Sequence, residues 1–72
     1  METIKFNSYS EVEKIKEIQE NEFIINLEDC EINQRERILD FFSGFTFLNG
    51  SIKKINRYEY QIKKNDTLNF KD

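Results

Sequence analysis

The stretch from Ile38 to Ile55 constrains this chain more than any other, because it concentrates apolar side chains and both glycines in eighteen residues. It reads ILDFFSGFTFLNGSIKKI. On a helix of about 100° per residue, the apolar side chains up to Leu48 spread over about half the circumference. One sheet face does not normally cover so wide an arc. A helix that is apolar over so wide an arc in so small a protein needs a second partner, and the first candidate is another copy of the chain. Even if most of these side chains belong to the core, something must cover the second flank.

Composition indicates one small domain, residues 1–72, without a metal or cofactor site. A chain of 72 residues buries roughly 60% of its unfolded surface, so oligomerisation would add stability. The chain has one cysteine, Cys30, and no histidine, which excludes a disulfide framework and the usual zinc and iron–sulfur ligand sets. We therefore expect a cytoplasmic protein in which Cys30 is a buried, unreactive side chain.

Charge is unevenly distributed along the chain. The net charge is −3, which argues against a protein that follows nucleic-acid phosphates. Residues 1–40 hold eleven acidic and five basic side chains, whereas residues 41–72 hold six basic and three acidic ones. The basic C-terminal part is either a solvated face or a surface for an acidic partner. No run of about 18 apolar residues is present to span a membrane.

The first half of the chain reads as strand, helix, strand. Residues 3–6 alternate polar and apolar, as a half-buried strand does. Ser8 and Glu11 have capping-box spacing and predict a helix start. That helix carries a narrow apolar stripe at every third residue from Tyr9 and ends by Asn21. Residues 23–25 with Leu27 then predict a central strand.

The second half predicts a helix followed by a hairpin. Either Glu31 or Asn33 caps a helix that runs to about Leu48. Asn49-Gly50 then indicates a turn, because both residue types tolerate positive φ. Residues 51–55 and 58–64 form the hairpin, and residues 67–70 can add an edge strand. The order predicts an α+β protein, a two-layer sandwich with two helices on one face of a four- to five-stranded sheet. The other sheet face is left open.

Three motifs at these separations resemble the folded core of the SepF family, the cell-division adaptors of bacteria and some archaea. They are NLED at 26–29, DFFSG at 40–44 and NGSIKKI at 49–55. The resemblance extends from about residue 3 to residue 70. Each motif alone is weak, whereas their combination is fairly specific.

The resemblance implies a non-enzymatic adaptor at the division site. Such a protein binds the C-terminal tail of FtsZ, self-associates into dimers and larger assemblies, and links the division ring to the membrane. In the family an N-terminal amphipathic helix and a flexible linker make the membrane link. This chain begins with Met-Glu-Thr and enters the first strand directly. We therefore expect no membrane contact from this chain, whether that segment is naturally absent or has been removed.

The resemblance also implies two sets of site residues. The basic position of the tail-binding pocket falls on Lys54 and the aromatic position on Tyr60, and Tyr58 and Ile62 share the strand face of Tyr60. Without the resemblance, Lys54 could equally be a solvated lysine and Tyr60 a cover for the sheet. For self-association, the apolar arc of the second helix indicates one flank, formed by Phe41, Gly44, Phe45 and Leu48.

Three other functions compete with the adaptor. The loop carboxylates Glu28, Asp29 and Glu31 have no accompanying nucleophile, phosphate loop or metal set, which argues against an enzyme. The hairpin tyrosines could stack on nucleic-acid bases, but the net acidity of the chain weighs against this. A small homodimeric ligand-sensing or protein-interaction module, unrelated to division, is the third alternative.

Overall fold

The computed structural model describes residues 1–47 and 50–64. Within these residues the chain forms four strands, one 3₁₀ helix and one α-helix. In chain order they are β1 (Glu2–Lys5), the 3₁₀ helix (Tyr9–Glu17), β2 (Glu22–Asn26), α1 (Ile32–Phe45), β3 (Ser51–Lys54) and β4 (Glu59–Lys63). The α+β class is therefore confirmed. The predicted edge strand at residues 67–70 lies outside the described residues.

The four strands form one mixed sheet in the order β1-β2-β4-β3. β1 runs parallel to β2, with the 3₁₀ helix in the connection, and β4 is antiparallel to both β2 and β3. β2 lies between two neighbours, as predicted for the central strand. β3 and β4 form the predicted hairpin, so the basic C-terminal part of the chain supplies one edge of the sheet.

The first helix differs from an α-helix because its apolar residues repeat every three positions. On an α-helix such a repeat drifts around the axis, whereas on a 3₁₀ helix, with three residues per turn, it stays in line. Val12 and Ile18 are buried and Tyr9 and Ile15 half-buried in that line. The predicted capping box does not form: Ser8 makes no capping bond, and a Glu11 carboxylate oxygen accepts the amide of Asn7, one residue before the N-cap, at 2.6 Å.

Alternate strand residues face a common core. The register places Phe23 opposite Ile62 and Ile25 opposite Tyr60, and we call the face that carries them the core face. The opposite face carries Ile24 and Gln61, both half-buried, and we call it the outer face. The core cluster draws on the strands, both helices and the loops: Ile4, Phe6, Val12, Ile18, Phe23, Ile25, Leu27, Cys30, Ile38, Phe42 and Ile62.

Helix α1 enters this core through Ile38 and Phe42, which are fully buried. The Phe42 ring lies 6.1 Å from the Phe6 ring and 6.2 Å from the Phe23 ring, so it joins α1 to the first loop and to β2. Glu31 is the N-cap residue, one of the two predicted, but its side chain makes no capping bond. The helix ends at Phe45, three residues before the predicted end.

Gly50 is required for space and not for its backbone conformation. Among the described residues no glycine has a positive φ, in contrast to the reason for which the turn was predicted. A Cβ on Gly50 would collide with the carbonyl oxygen of Lys63 and lie 3.1 Å from the Cα of Thr46. The chain therefore passes close to both β4 and the end of α1 as it enters β3.

Candidate partner-binding surfaces

The hairpin turn between β3 and β4 is held by the side chain of Asn56. Its Oδ1 accepts the amides of Tyr58 at 2.9 Å and Glu59 at 3.0 Å, and the Ile55 amide donates to the Glu59 carbonyl at 2.9 Å. An Asn side chain that accepts amides two and three residues ahead is a common way to close a turn. This closure sets the register of the two strands.

The register pairs Lys54 directly with Tyr60. Both lie on the core face, since Tyr60 is also opposite Ile25. Tyr60 is half-buried and packs against the core, whereas Lys54 is exposed. Side chains directly opposite each other on antiparallel strands have Cβ atoms about 5 Å apart. The structure therefore brings together the cation and the aromatic ring that the resemblance singled out.

Tyr58 lies next to this pair, in the turn just before β4, and two arginines flank it. The guanidinium carbon of Arg35 is 5.0 Å from the centre of the Tyr58 ring, and that of Arg57 is 5.9 Å away. The Tyr58 carbonyl accepts the Leu27 amide at 2.8 Å, which ties the turn to the loop after β2. Tyr58 is half-buried in this position.

Sequence reasoning missed Arg35 as a member of this surface. Arg35 lies in the first turn of α1, far from the hairpin along the chain, and its Nε donates to the Cys30 carbonyl at 3.0 Å. Nothing in the local pattern distinguishes it from Arg37, whose guanidinium carbon lies 4.5 Å from the ring of Tyr9. Only the packing of α1 against the hairpin places Arg35 over Tyr58.

The cations of this surface are not neutralised by the described residues. The ion pairs among the described residues are Lys5–Asp29 at 3.1 Å and Lys14–Glu11 at 3.5 Å, and neither includes a cation of this surface. The nearest strand carboxylate, Glu59, accepts hydrogen bonds from the side-chain amides of Asn26 at 3.0 Å and Asn56 at 2.9 Å, which lower its pKa. It projects from the outer face, because it pairs with Asn26 rather than with Ile25.

Ile62, the fourth residue predicted for this surface, has no exposed area. It sits between Phe23 and Ile52 in the sheet register and belongs to the core cluster. Ile62 therefore supports Tyr60 from within the sheet and presents no atoms to a partner. We call Lys54, Tyr58 and Tyr60, with Arg35 and Arg57, the hairpin surface.

A second surface lies on α1 and just beyond its end. The rings of Phe41 and Phe45 stack at 6.0 Å with an interplanar angle of 14°, and both side chains are half-buried. Gly44 is exposed, and a Cβ placed there would meet no atom within 4 Å. Phe47, which the sequence analysis did not assign to self-association, is 81% exposed. We call Phe41, Gly44, Phe45 and Phe47 the phenylalanine flank. Leu48, the fourth residue predicted for self-association, lies outside the described residues.

The three loop carboxylates that were considered as catalytic groups lie between β2 and α1. Of these, Asp29 pairs with Lys5, and Glu31 is the N-cap residue of α1. Among residues 1–47 and 50–64 no cluster of three potential metal ligands occurs, and none of their helices has the length and apolarity to cross a membrane. A surface groove of about 400 Å³ runs between β1 and the 3₁₀ helix, away from the hairpin surface.

Comparison with known families identifies the chain. The family model described as "Cell division protein SepF" matches residues 1–62 of the 72. The match includes the NLED and DFFSG motifs, the NGSIKKI segment and most of β4. No curated protein matches the chain in sequence. The match spans most of the chain and every described strand and helix except the last residue of β4, so the chain belongs to the SepF family of cell division proteins.

Proposed function

We propose that this chain is a non-enzymatic adaptor that binds the C-terminal tail of FtsZ through the hairpin surface and self-associates through the phenylalanine flank. It acts in the cytoplasm at the division site, where it helps to assemble or anchor the division ring. The observation that carries the proposal is the β3–β4 register, which sets Lys54 opposite Tyr60 on one face.

The chemistry of the hairpin surface suits a short peptide of mixed character. FtsZ tails combine apolar anchors with charged residues, so a binding site needs an aromatic surface for the anchors and cations for the carboxylates. Tyr58 and Tyr60 are half-buried, which leaves part of each ring to a ligand while the rest is held by the protein. Lys54 is exposed beside them.

The proposal takes the chain as a two-layer sandwich with both helices against the core face. The single buried cluster formed by both helices and the core-face residues supports this arrangement. It leaves the hairpin surface and the phenylalanine flank at different places on α1, near its first turn and its last. Tail binding and self-association therefore use separate residues, and each can be removed without the other.

The proposal is tested by measuring the binding of a fluorescent FtsZ C-terminal tail peptide to the purified protein. We expect saturable binding, weakened about tenfold or more by Lys54→Glu and by Tyr60→Ala, because truncation of a central anchor costs on the order of 2 kcal/mol. Circular dichroism verifies that each variant is folded.

The matched control is Lys53→Glu. Lys53 is exposed one residue before Lys54 and opposite Gln61, so it projects from the outer face and carries the same charge. We expect it to change the affinity by less than about threefold, as for a rim charge. Equal losses of affinity for Lys53→Glu and Lys54→Glu would show that the effect comes from the change in net charge and not from the position of Lys54. A folded wild type that does not bind the peptide would contradict tail binding.

A further inference from the structure

We propose that Arg35 and Arg57, held against the ring of Tyr58, bind carboxylates of the FtsZ tail and select an acidic peptide. The inference deepens the proposed tail binding and rests on it. Neither arginine was among the residues predicted to bind the tail. Lys54 supplies one positive charge to the hairpin surface. Each of the two guanidinium groups can also donate two parallel hydrogen bonds to one carboxylate, which a lysine ammonium group does not do.

Arg35 is held in place before any ligand binds. Its Nε donates to the Cys30 carbonyl at 3.0 Å, its side chain is half-buried, and its guanidinium carbon lies 5.0 Å from the Tyr58 ring centre. The bond through Nε leaves the two terminal nitrogens to donate elsewhere. A guanidinium whose plane is already fixed loses little conformational freedom when it binds a carboxylate.

The position of Arg35 in α1 gives the helix no electrostatic benefit. The first turn of a helix favours negative charge, and this turn of α1 contains no acidic residue, although the N-cap residue Glu31 is acidic. A cation there opposes the helix dipole, whereas a carboxylate bound beside it would be favoured by both the guanidinium and the helix end. The helix dipole therefore does not account for a positive charge at residue 35, whereas an anionic ligand does.

Arg57 approaches the same ring from the hairpin turn. Its guanidinium carbon is 5.9 Å from the Tyr58 ring centre, and its side chain is exposed. Within residues 1–47 and 50–64, no carboxylate is found within ion-pair distance of either guanidinium. Glu59, the closest acidic residue along the chain to Arg57, is hydrogen-bonded to Asn26 and Asn56. Two cations that share one aromatic ring and form no ion pair with a described residue favour an acidic partner.

The experiment compares two tail peptides, the native one and one with its Asp and Glu residues replaced by Asn and Gln. With the native peptide we expect Arg35→Gln to weaken binding about tenfold and Arg57→Gln about threefold, since the former is partly buried and the latter exposed. With the neutral peptide, which binds the wild type more weakly, both variants should bind as the wild type does. Higher salt should reduce the difference between the peptides.

Arg37→Gln is the matched control. Arg37 lies on the same helix and stacks on Tyr9, away from the hairpin, so its loss should leave both affinities unchanged. Equal losses with both peptides would show that Arg35 only supports Tyr58 and would overturn the inference, as would wild-type affinity in both arginine variants. Tighter binding of a single-stranded oligonucleotide than of the native peptide would also overturn it. If the wild type binds neither peptide, tail binding itself fails.

Discussion

Cys30 shows how a single side chain can be interpreted correctly from composition. The sequence analysis treated it as a small buried residue, and the structure confirms this, with 3% of it exposed. Its thiol donates to the Phe6 carbonyl at 3.0 Å, and burial raises its pKa. A buried thiol that stays protonated is a poor nucleophile, and the bond of Cys30 instead links the loop after β1 to the loop before α1.

Gly50 provides a test of close packing between the end of α1 and β4. We expect Gly50→Ala to lower the free energy of unfolding by roughly 1–3 kcal/mol, because the added methyl group forces the chain away from the Lys63 carbonyl. Urea denaturation followed by circular dichroism measures this. An alanine variant as stable as the wild type would show that β3 can shift without cost, and that the close approach is not required.

At the scale of single elements, the period of the apolar residues decides the type of helix. The stripe from Tyr9 repeats every three residues and forms a 3₁₀ helix, whereas Ile38 and Phe42 in α1 are four apart and bury one face of an α-helix. The sequence analysis used both patterns to predict helices. It did not use the strict three-residue spacing to separate the two types.

Substitution of Gly44 can separate the stability of the folded chain from its self-association. We expect Gly44→Ala to raise the free energy of unfolding by up to about 1 kcal/mol, since a helical glycine costs backbone entropy and the added methyl group meets no atom of the same chain. If Gly44 allows close approach of a second copy, the same variant should dissociate more readily.

Denaturation and sedimentation at several protein concentrations measure the two effects on Gly44→Ala separately. Gly50→Ala serves as the contrast, because there the methyl group collides within the chain. A Gly44→Ala protein that is more stable and associates as the wild type does would remove Gly44 from the self-association surface.

At the scale of the whole molecule, the monomer leaves the phenylalanine flank, at the end of α1 and just beyond it, incompletely covered. We expect Phe47→Asp to weaken self-association with little loss of stability, because Phe47 is 81% exposed. Phe45→Asp should weaken association as well and also destabilise the fold, because its ring packs 5.9 Å from that of buried Phe42. Sedimentation equilibrium gives the association constant of each variant.

Ile32→Asp is the control for this surface. Ile32 is also exposed, at 69%, but lies at the opposite end of α1 from Phe47. We expect it to leave association unchanged. Folded Phe45→Asp and Phe47→Asp proteins that remain as associated as the wild type would place the interface elsewhere on the molecule.

The sequence by itself determined the order of the elements, the central position of β2, the hairpin and the family. These depend on local signals: alternation in strands, apolar spacing in helices, a two-residue gap between the hairpin strands, and motifs at set separations. The tertiary structure alone decided that Lys54 faces Tyr60, that Ile62 is inaccessible, and that Arg35 lies over Tyr58. Strand register and the contact of α1 with the hairpin join residues far apart along the chain, and such contacts follow from the packing of the whole core, which no local pattern encodes.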